Sequence, residues 1–72
     1  MDLKVDCYAG YRGAETPRHL EIDGRLVEVV EVIDRWFGTD HRYFKVRGDD
    51  GSAYLLRYDD AADQWELKDV RG

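Results

Sequence analysis

The sequence predicts an all-β fold, a small antiparallel barrel or strongly twisted sheet of about six short strands with little or no helix. Three observations predict it. Apolar residues recur at every second position through much of the chain, the period of a half-buried strand. Two Asp-Gly pairs, Asp23-Gly24 and Asp50-Gly51, stand between alternating runs, as hairpin turns do. The chain has 72 residues, so six strands at hairpin spacing fill it, and closing or curling the sheet removes exposed edges.

The elements follow in order. Leu3, Val5, Cys7, Ala9 and Tyr11 alternate with Lys4, Asp6, Tyr8, Gly10 and Arg12, which predicts a first strand within residues 1–12. Gly13 to Thr16 reads as a loop, and Pro17 suits a strand start, where its missing N–H does no harm. Leu20 and Ile22 share one face, with His19 and Glu21 on the other. Asp23-Gly24 predicts a type I′ turn, because both of its central residues need φ > 0. Leu26 to Ile33 is the ambiguous run. Glu28 and Glu31 lie three apart, a spacing that also fits a helix. The β-branched Val27, Val29, Val30, Val32 and Ile33 favour a strand, and a bulge near Val29-Val30 would leave both glutamates in water.

Asp34 to His41 reads as a strand end and a loop, and Arg42 to Arg47 as a strand. The turn after it sets a register. A type I turn on Asp49-Asp50 with Gly51 in the left-handed region opposes Val46 to Tyr54 and Phe44 to Leu56. These four then share a face with Tyr58, and Tyr43, Lys45, Arg47, Leu55 and Arg57 share the other. A two-residue turn on Asp50-Gly51 would oppose Phe44 to Arg57, and a one-residue slip turns every side chain to the wrong side. The bulged turn is therefore the expected one. Asp59 to Gln64 is a polar turn, Trp65 and Leu67 mark a last short strand, and residues 69–72 read as a frayed tail. The whole is one domain, 1–72.

Composition bears on function class. A chain this short has a small core, and its single cysteine, Cys7, allows no intrachain disulfide to reinforce it. The opening Met-Asp-Leu-Lys-Val-Asp has no apolar stretch of the signal-peptide kind, and no apolar run reaches the ~20 residues of a membrane span. Both point to the cytoplasm, with no membrane partner. The net charge is −5, concentrated toward the C-terminus. An acidic chain is a poor general binder of polyanions, since phosphate contact drives non-specific nucleic-acid affinity.

The candidate chemistry is sparse. Cys7 is on the inner face of its predicted strand and reads as a core residue rather than a nucleophile. His19 and His41 read as exposed, and neither has a ligand neighbour at zinc spacing, so no metal is expected. Asp49-Asp50 and Asp59, Asp60 and Asp63 read as turn chemistry rather than a calcium loop. No nucleophile–base set, phosphate loop or dinucleotide fingerprint appears, so neither catalysis nor a cofactor is expected. Trp65 reads as core, and Trp36, beside Phe37-Gly38, as the better candidate for exposure. The interaction surface expected from the pattern is Tyr43, Lys45, Arg47 and Arg57, with Arg35, Trp36 and Arg42 nearby.

One further pattern spans Glu15 to Leu67. Thr16-Pro17, Gly24-Arg25, Val29 to Val32, Asp34-Arg35-Trp36, Tyr43-Phe44-Lys45-Val46-Arg47, Asp50-Gly51, Tyr54-Leu55-Leu56 and Trp65-Glu66-Leu67 occur in this order. The order resembles a family of short bacterial cytoplasmic proteins of unknown function, some of them encoded beside error-prone DNA polymerases. The resemblance implies a bacterial cytoplasmic protein and no catalytic residue. The expectation is then a non-catalytic binding or accessory module acting on a protein partner through a β surface, as a monomer or weak homodimer. The alternative is a single-stranded nucleic-acid or DNA-repair accessory domain, because aromatic and basic groups on one β face can stack bases and track a backbone. A small enzyme or metal protein comes third.

Overall fold

A computed structural model of the protein describes residues 3–7 and 17–72. It is all-β, with strands β1 (Leu3–Cys7), β2 (Pro17–Ile22), β3 (Arg25–Phe37), β4 (His41–Gly48), β5 (Ala53–Asp59) and β6 (Gln64–Arg71). All neighbours are antiparallel, and the order in the sheet is the order in the chain. The sheet curls into a half-barrel that brings β1 toward β6, but no hydrogen-bonded ladder joins these two edges among the described residues. The expected continuation of the first strand through Ala9 and Tyr11 to Arg12, and the loop from Gly13 to Thr16, lie outside the described residues.

The turns follow local chemistry. Asp23 and Gly24 have φ of 51° and 84°, the paired left-handed residues of the expected type I′ turn, and Ile22 opposes Arg25 across it. At the β4–β5 turn the Gly51 N–H donates to the Gly48 carbonyl at 3.0 Å and the Gly48 N–H to the Ser52 carbonyl at 2.8 Å. Gly51 has φ of 87°, so the turn is the bulged three-residue form. The register it dictates is the observed one, with Val46 opposite Tyr54 and Phe44 opposite Leu56. A Cβ on Gly51 would meet nothing within 4 Å, so a substitution there is opposed by backbone strain alone. Gly51→Val is expected to destabilise by roughly 1–2 kcal/mol, the penalty of forcing a β-branched residue into this region. An unchanged urea midpoint would contradict the turn assignment.

β3 is longer and more irregular than the sequence predicts. One bulge lies between Val29 and Glu31, as expected, and both Glu28 and Glu31 are exposed. A second lies between Val32 and Asp34. Each extra residue, Val30 and then Ile33, resets the alternation, so Val29 and Val32 both face the core. Past the second bulge the strand does not end. Asp34 to Phe37, expected as strand end and loop, pair with Lys45 to Arg42. β6 likewise continues beyond Lys68, the extra residue of a third bulge, and Arg71 pairs with Ala53 where a frayed tail was expected.

The core is small. Leu20, Val27, Phe44, Val46, Tyr54 and Leu56 are buried, with Leu3, Val5, Ile22, Val29, Val32, Trp65 and Leu67 packed partly buried around them. The expected core tryptophan, Trp65, stacks at tilted geometry on Phe44 (5.6 Å) and Tyr58 (4.9 Å). Cys7 departs from expectation. It is half-buried at the end of β1, opposite the buried Pro17.

Candidate interaction surface

Alternation along β3 to β6 assigns each expected surface residue to a face. Trp36, Tyr43, Arg57 and Glu66 are consecutive cross-strand partners, as are Asp34, Lys45, Leu55 and Asp69, and then Glu31, Arg47, Ala53 and Arg71. These three rows make the outer face of the half-barrel. Five of the seven expected residues, Trp36, Tyr43, Lys45, Arg47 and Arg57, are therefore brought together. Arg35 and Arg42 are not. They oppose Phe44 and Tyr58, so by register they belong to the inner face at the open end of the sheet. Arg42 Nε lies 3.5 Å from Asp60 Oδ1 there.

Between the rows lies a shallow depression of about 330 Å³, with Trp36 and Lys45 at one side, Leu55 and Ala53 beneath, and Asp69 and Arg71 opposite. Trp36 keeps 46% of its surface in solvent. Sequence reasoning missed Asp69 and Arg71. The bulge at Lys68 breaks the alternation after Leu67, so the strand's last outward-facing pair reads as a tail.

Charge on this face is mostly neutralised in place. Arg57 Nη1 donates to Glu66 Oε1 at 2.6 Å and its Nη2 to the His41 ring nitrogen Nε2. Arg47 Nε donates to Glu31 Oε1 at 3.4 Å and Arg71 Nε to Asp69 Oδ2 at 2.9 Å. That bond, above all, holds the Asp69 carboxyl below the usual carboxylate range and raises the titration of the Arg71 guanidinium still further.

The histidines are less exposed than expected. His19 is half-buried on the outer side of β2, its two ring nitrogens 4.0 Å from Asp6 and 3.8 Å from Glu28 on the flanking strands. His41 is not in a loop but opens β4, opposite Asp59. Among the described residues, no three His, Cys, Asp or Glu side chains are grouped so as to hold a metal ion.

A second polar cluster lies apart from this face. The buried Tyr54 hydroxyl donates to Asp50 Oδ2, and Arg25 Nη2 donates to the same hydroxyl at 3.3 Å and lies 3.7 Å from Asp50 Oδ2. The Tyr54 bond chiefly, helped by the Ser52 N–H at 2.9 Å, lowers the Asp50 carboxyl from its usual range. Burial, reinforced by Asp50, raises the Tyr54 hydroxyl. The cluster ties the start of β3 to the β4–β5 turn. Comparison with family models, curated proteins and solved structures gives no match to this chain in any of the three.

Proposed function

We propose that the protein is a non-catalytic binding module that holds a protein partner on the outer face of β3 to β6. The observation that carries this reading is the half-exposed Trp36 beside the Leu55–Ala53 floor. A large aromatic beside a concave apolar floor, rimmed by polar groups, is the arrangement typical of interface anchors. The resemblance at Asp34-Arg35-Trp36 and Tyr43 to Arg47 supports a bacterial cytoplasmic setting. Trp36→Ala tests the reading, because it removes the anchor without entering the core. A partner recovered from native extract with the wild type should be lost with Trp36→Ala, at an unchanged melting midpoint. Recovery of the same proteins with both would reject Trp36 as the anchor.

The second reading, a single-stranded nucleic-acid accessory domain, draws on Trp36 and Tyr43 sharing a face with Lys45, Arg47 and Arg57. Against it, Arg47 and Arg57 are held by the sheet's own glutamates, and the chain carries −5. Titration with labelled oligonucleotides at physiological salt is expected to show nothing tighter than roughly 10⁻⁴ M, the weak end of non-specific binding. Micromolar, salt-sensitive binding lost on Arg47→Ala with Arg57→Ala would reverse the order of the two readings.

A further inference from the structure

The 13 residues of β3 are served unevenly by its neighbours. On one side β4 pairs with it from Val29 to Phe37, but on the other β2 pairs only with Arg25 to Glu28. β2 begins at Pro17, so its ladder runs out there, and among the described residues no strand pairs with that side of Val30 to Phe37. The two terminal edges of the sheet, β1 and β6, approach each other instead. The open stretch is also apolar. Of the six large apolar side chains exposed among the described residues, four stand on it: Val30, Ile33, Trp36 and Phe37. An open strand edge presents unpaired N–H and C=O groups, and another strand adds to it readily unless it is covered. At the middle of this edge stand two consecutive opposite charges, Asp34 on the outer side and Arg35 on the inner. Neither has an ion-pair partner within 4.0 Å among the described residues.

We infer that a partner protein adds an extended segment to the open edge of β3 along Val30 to Phe37, antiparallel, with an acidic residue opposite Arg35 followed by a basic one opposite Asp34. This inference rests on the protein-binding reading, since Trp36 stands on the same stretch, and it names the partner's chemistry. The backbone selects the occupant. An extended chain repeats N–H and C=O groups at the spacing of the edge and lies about 4.8 Å from it. A helix has already used its own backbone groups, and a nucleic-acid strand offers phosphates instead. Every pair in the sheet is antiparallel, and a segment added in that sense reaches Arg35 before Asp34. Cross-strand neighbours share a face, so each charge then meets its opposite. A second copy of this chain does not supply that match. Centred on either charge, its own β3 would set Asp34 against Asp34 or Arg35 against Arg35, and like charges directly opposite destabilise the pair.

The test uses the full chain, isotopically labelled, and a capped peptide of valine and threonine with glutamate and then lysine at its centre. The peptide should bind saturably, shift the backbone amide signals of Val30 to Phe37 and slow their hydrogen exchange. Two further peptides carry N-methyl groups on alternate residues, one on the odd positions and one on the even. Only one of these sets faces β3, so one peptide should lose roughly tenfold or more in affinity and the other keep it. Exchanging the central glutamate and lysine should cost roughly five- to tenfold, because two attractive pairs become repulsive. Asp34→Lys combined with Arg35→Glu should reverse that preference. No binding of the parent peptide, equal binding of both methylated peptides, or indifference to the charge order would overturn the inference. Dimerisation that protects the same amides would overturn it in favour of a second copy, and tighter binding of an oligothymidylate at those signals in favour of nucleic acid. The broader reading fails separately. A native partner that Trp36→Ala loses, but that leaves hydrogen exchange of Val30 to Phe37 unchanged in the wild-type complex, keeps the Trp36 face and rejects strand addition.

Discussion

Gly48→Ala is expected to remove about 2–3 kcal/mol of stability, the upper part of the range for an added methyl in a packed site. Gly48 is buried at the end of β4. A Cβ there would lie 2.5 Å from Val27 Cγ1, 2.9 Å from Asp50 Oδ1 and 3.0 Å from Tyr54 Cε2. None of the three is free to retreat. Val27 and Tyr54 are each 1% exposed within the core, and Asp50 is engaged by Ser52 and the Tyr54 hydroxyl. The backbone of Gly48 is held as well, through Ser52 and Gly51. A domain of this size has a net stability of only ~3–5 kcal/mol, so half or more would go. Urea denaturation should therefore give a midpoint reduced by about half, since the midpoint scales with stability at constant slope. Gly24→Ala is the comparison for strain without a clash: a Cβ there would meet nothing within 4 Å, and its φ of 84° alone should cost roughly 1–2 kcal/mol. A Gly48→Ala midpoint at or above that of Gly24→Ala would mean that β3 does not cross the turn as described.

Tyr54→Ala should be still more damaging, about 3–5 kcal/mol, the cost of emptying a buried aromatic site. At that level most molecules are unfolded, so the informative variant is Tyr54→Phe. It keeps the ring in the core and removes only the hydroxyl that links Asp50 and Arg25. Its cost is expected near 1 kcal/mol, a typical net hydrogen bond. The pH dependence identifies the bond. Asp50 titrates below its usual range in the folded protein, so its contribution is complete above the ordinary aspartate value of about 4 and fades as pH falls through the folded value. Tyr54 titrates above its usual range, so its contribution is complete below about 10 and fades as pH rises through the raised folded value. The stability gap between wild type and Tyr54→Phe should hold from about pH 5 to 9 and narrow beyond either end. A gap that stays constant down to pH 2 would show that the hydroxyl acts through packing rather than through Asp50.

The same cluster marks a boundary of sequence reading. Tyr54 is legible as a core residue because its register partner Val46 is apolar. That its hydroxyl reaches Asp50 and meets Arg25 is not legible, because Arg25 lies 29 residues away and arrives only when β3 crosses the turn. Gly48 belongs to the same class. In the sequence it begins the turn Gly48-Asp49-Asp50-Gly51, and only the approach of Val27 makes it a packing requirement.

What the sequence determined by itself is what depends on near neighbours. Strand periodicity, the type I′ turn at Asp23-Gly24, the bulged turn at Gly51 and the Val46–Tyr54 register all arise within hairpins, where the turn residues and the alternating side chains act on a few adjacent positions. The shared outer face of Tyr43, Lys45, Arg47 and Arg57 follows from that register. The tertiary structure decided the rest. The second bulge in β3 and the one at Lys68 have no turn residue to announce them, and a strand that gains a residue changes the face of everything after it. That is why Trp36 joins the outer face while Arg35 leaves it, and why Asp69 and Arg71 line the depression; Arg42 falls on the inner face by plain alternation with Phe44 along β4. Whether the sheet closed was likewise undetermined by local pattern. Closure depends on tilt and stagger accumulated over all six strands, and here β1 and β6 approach without a ladder.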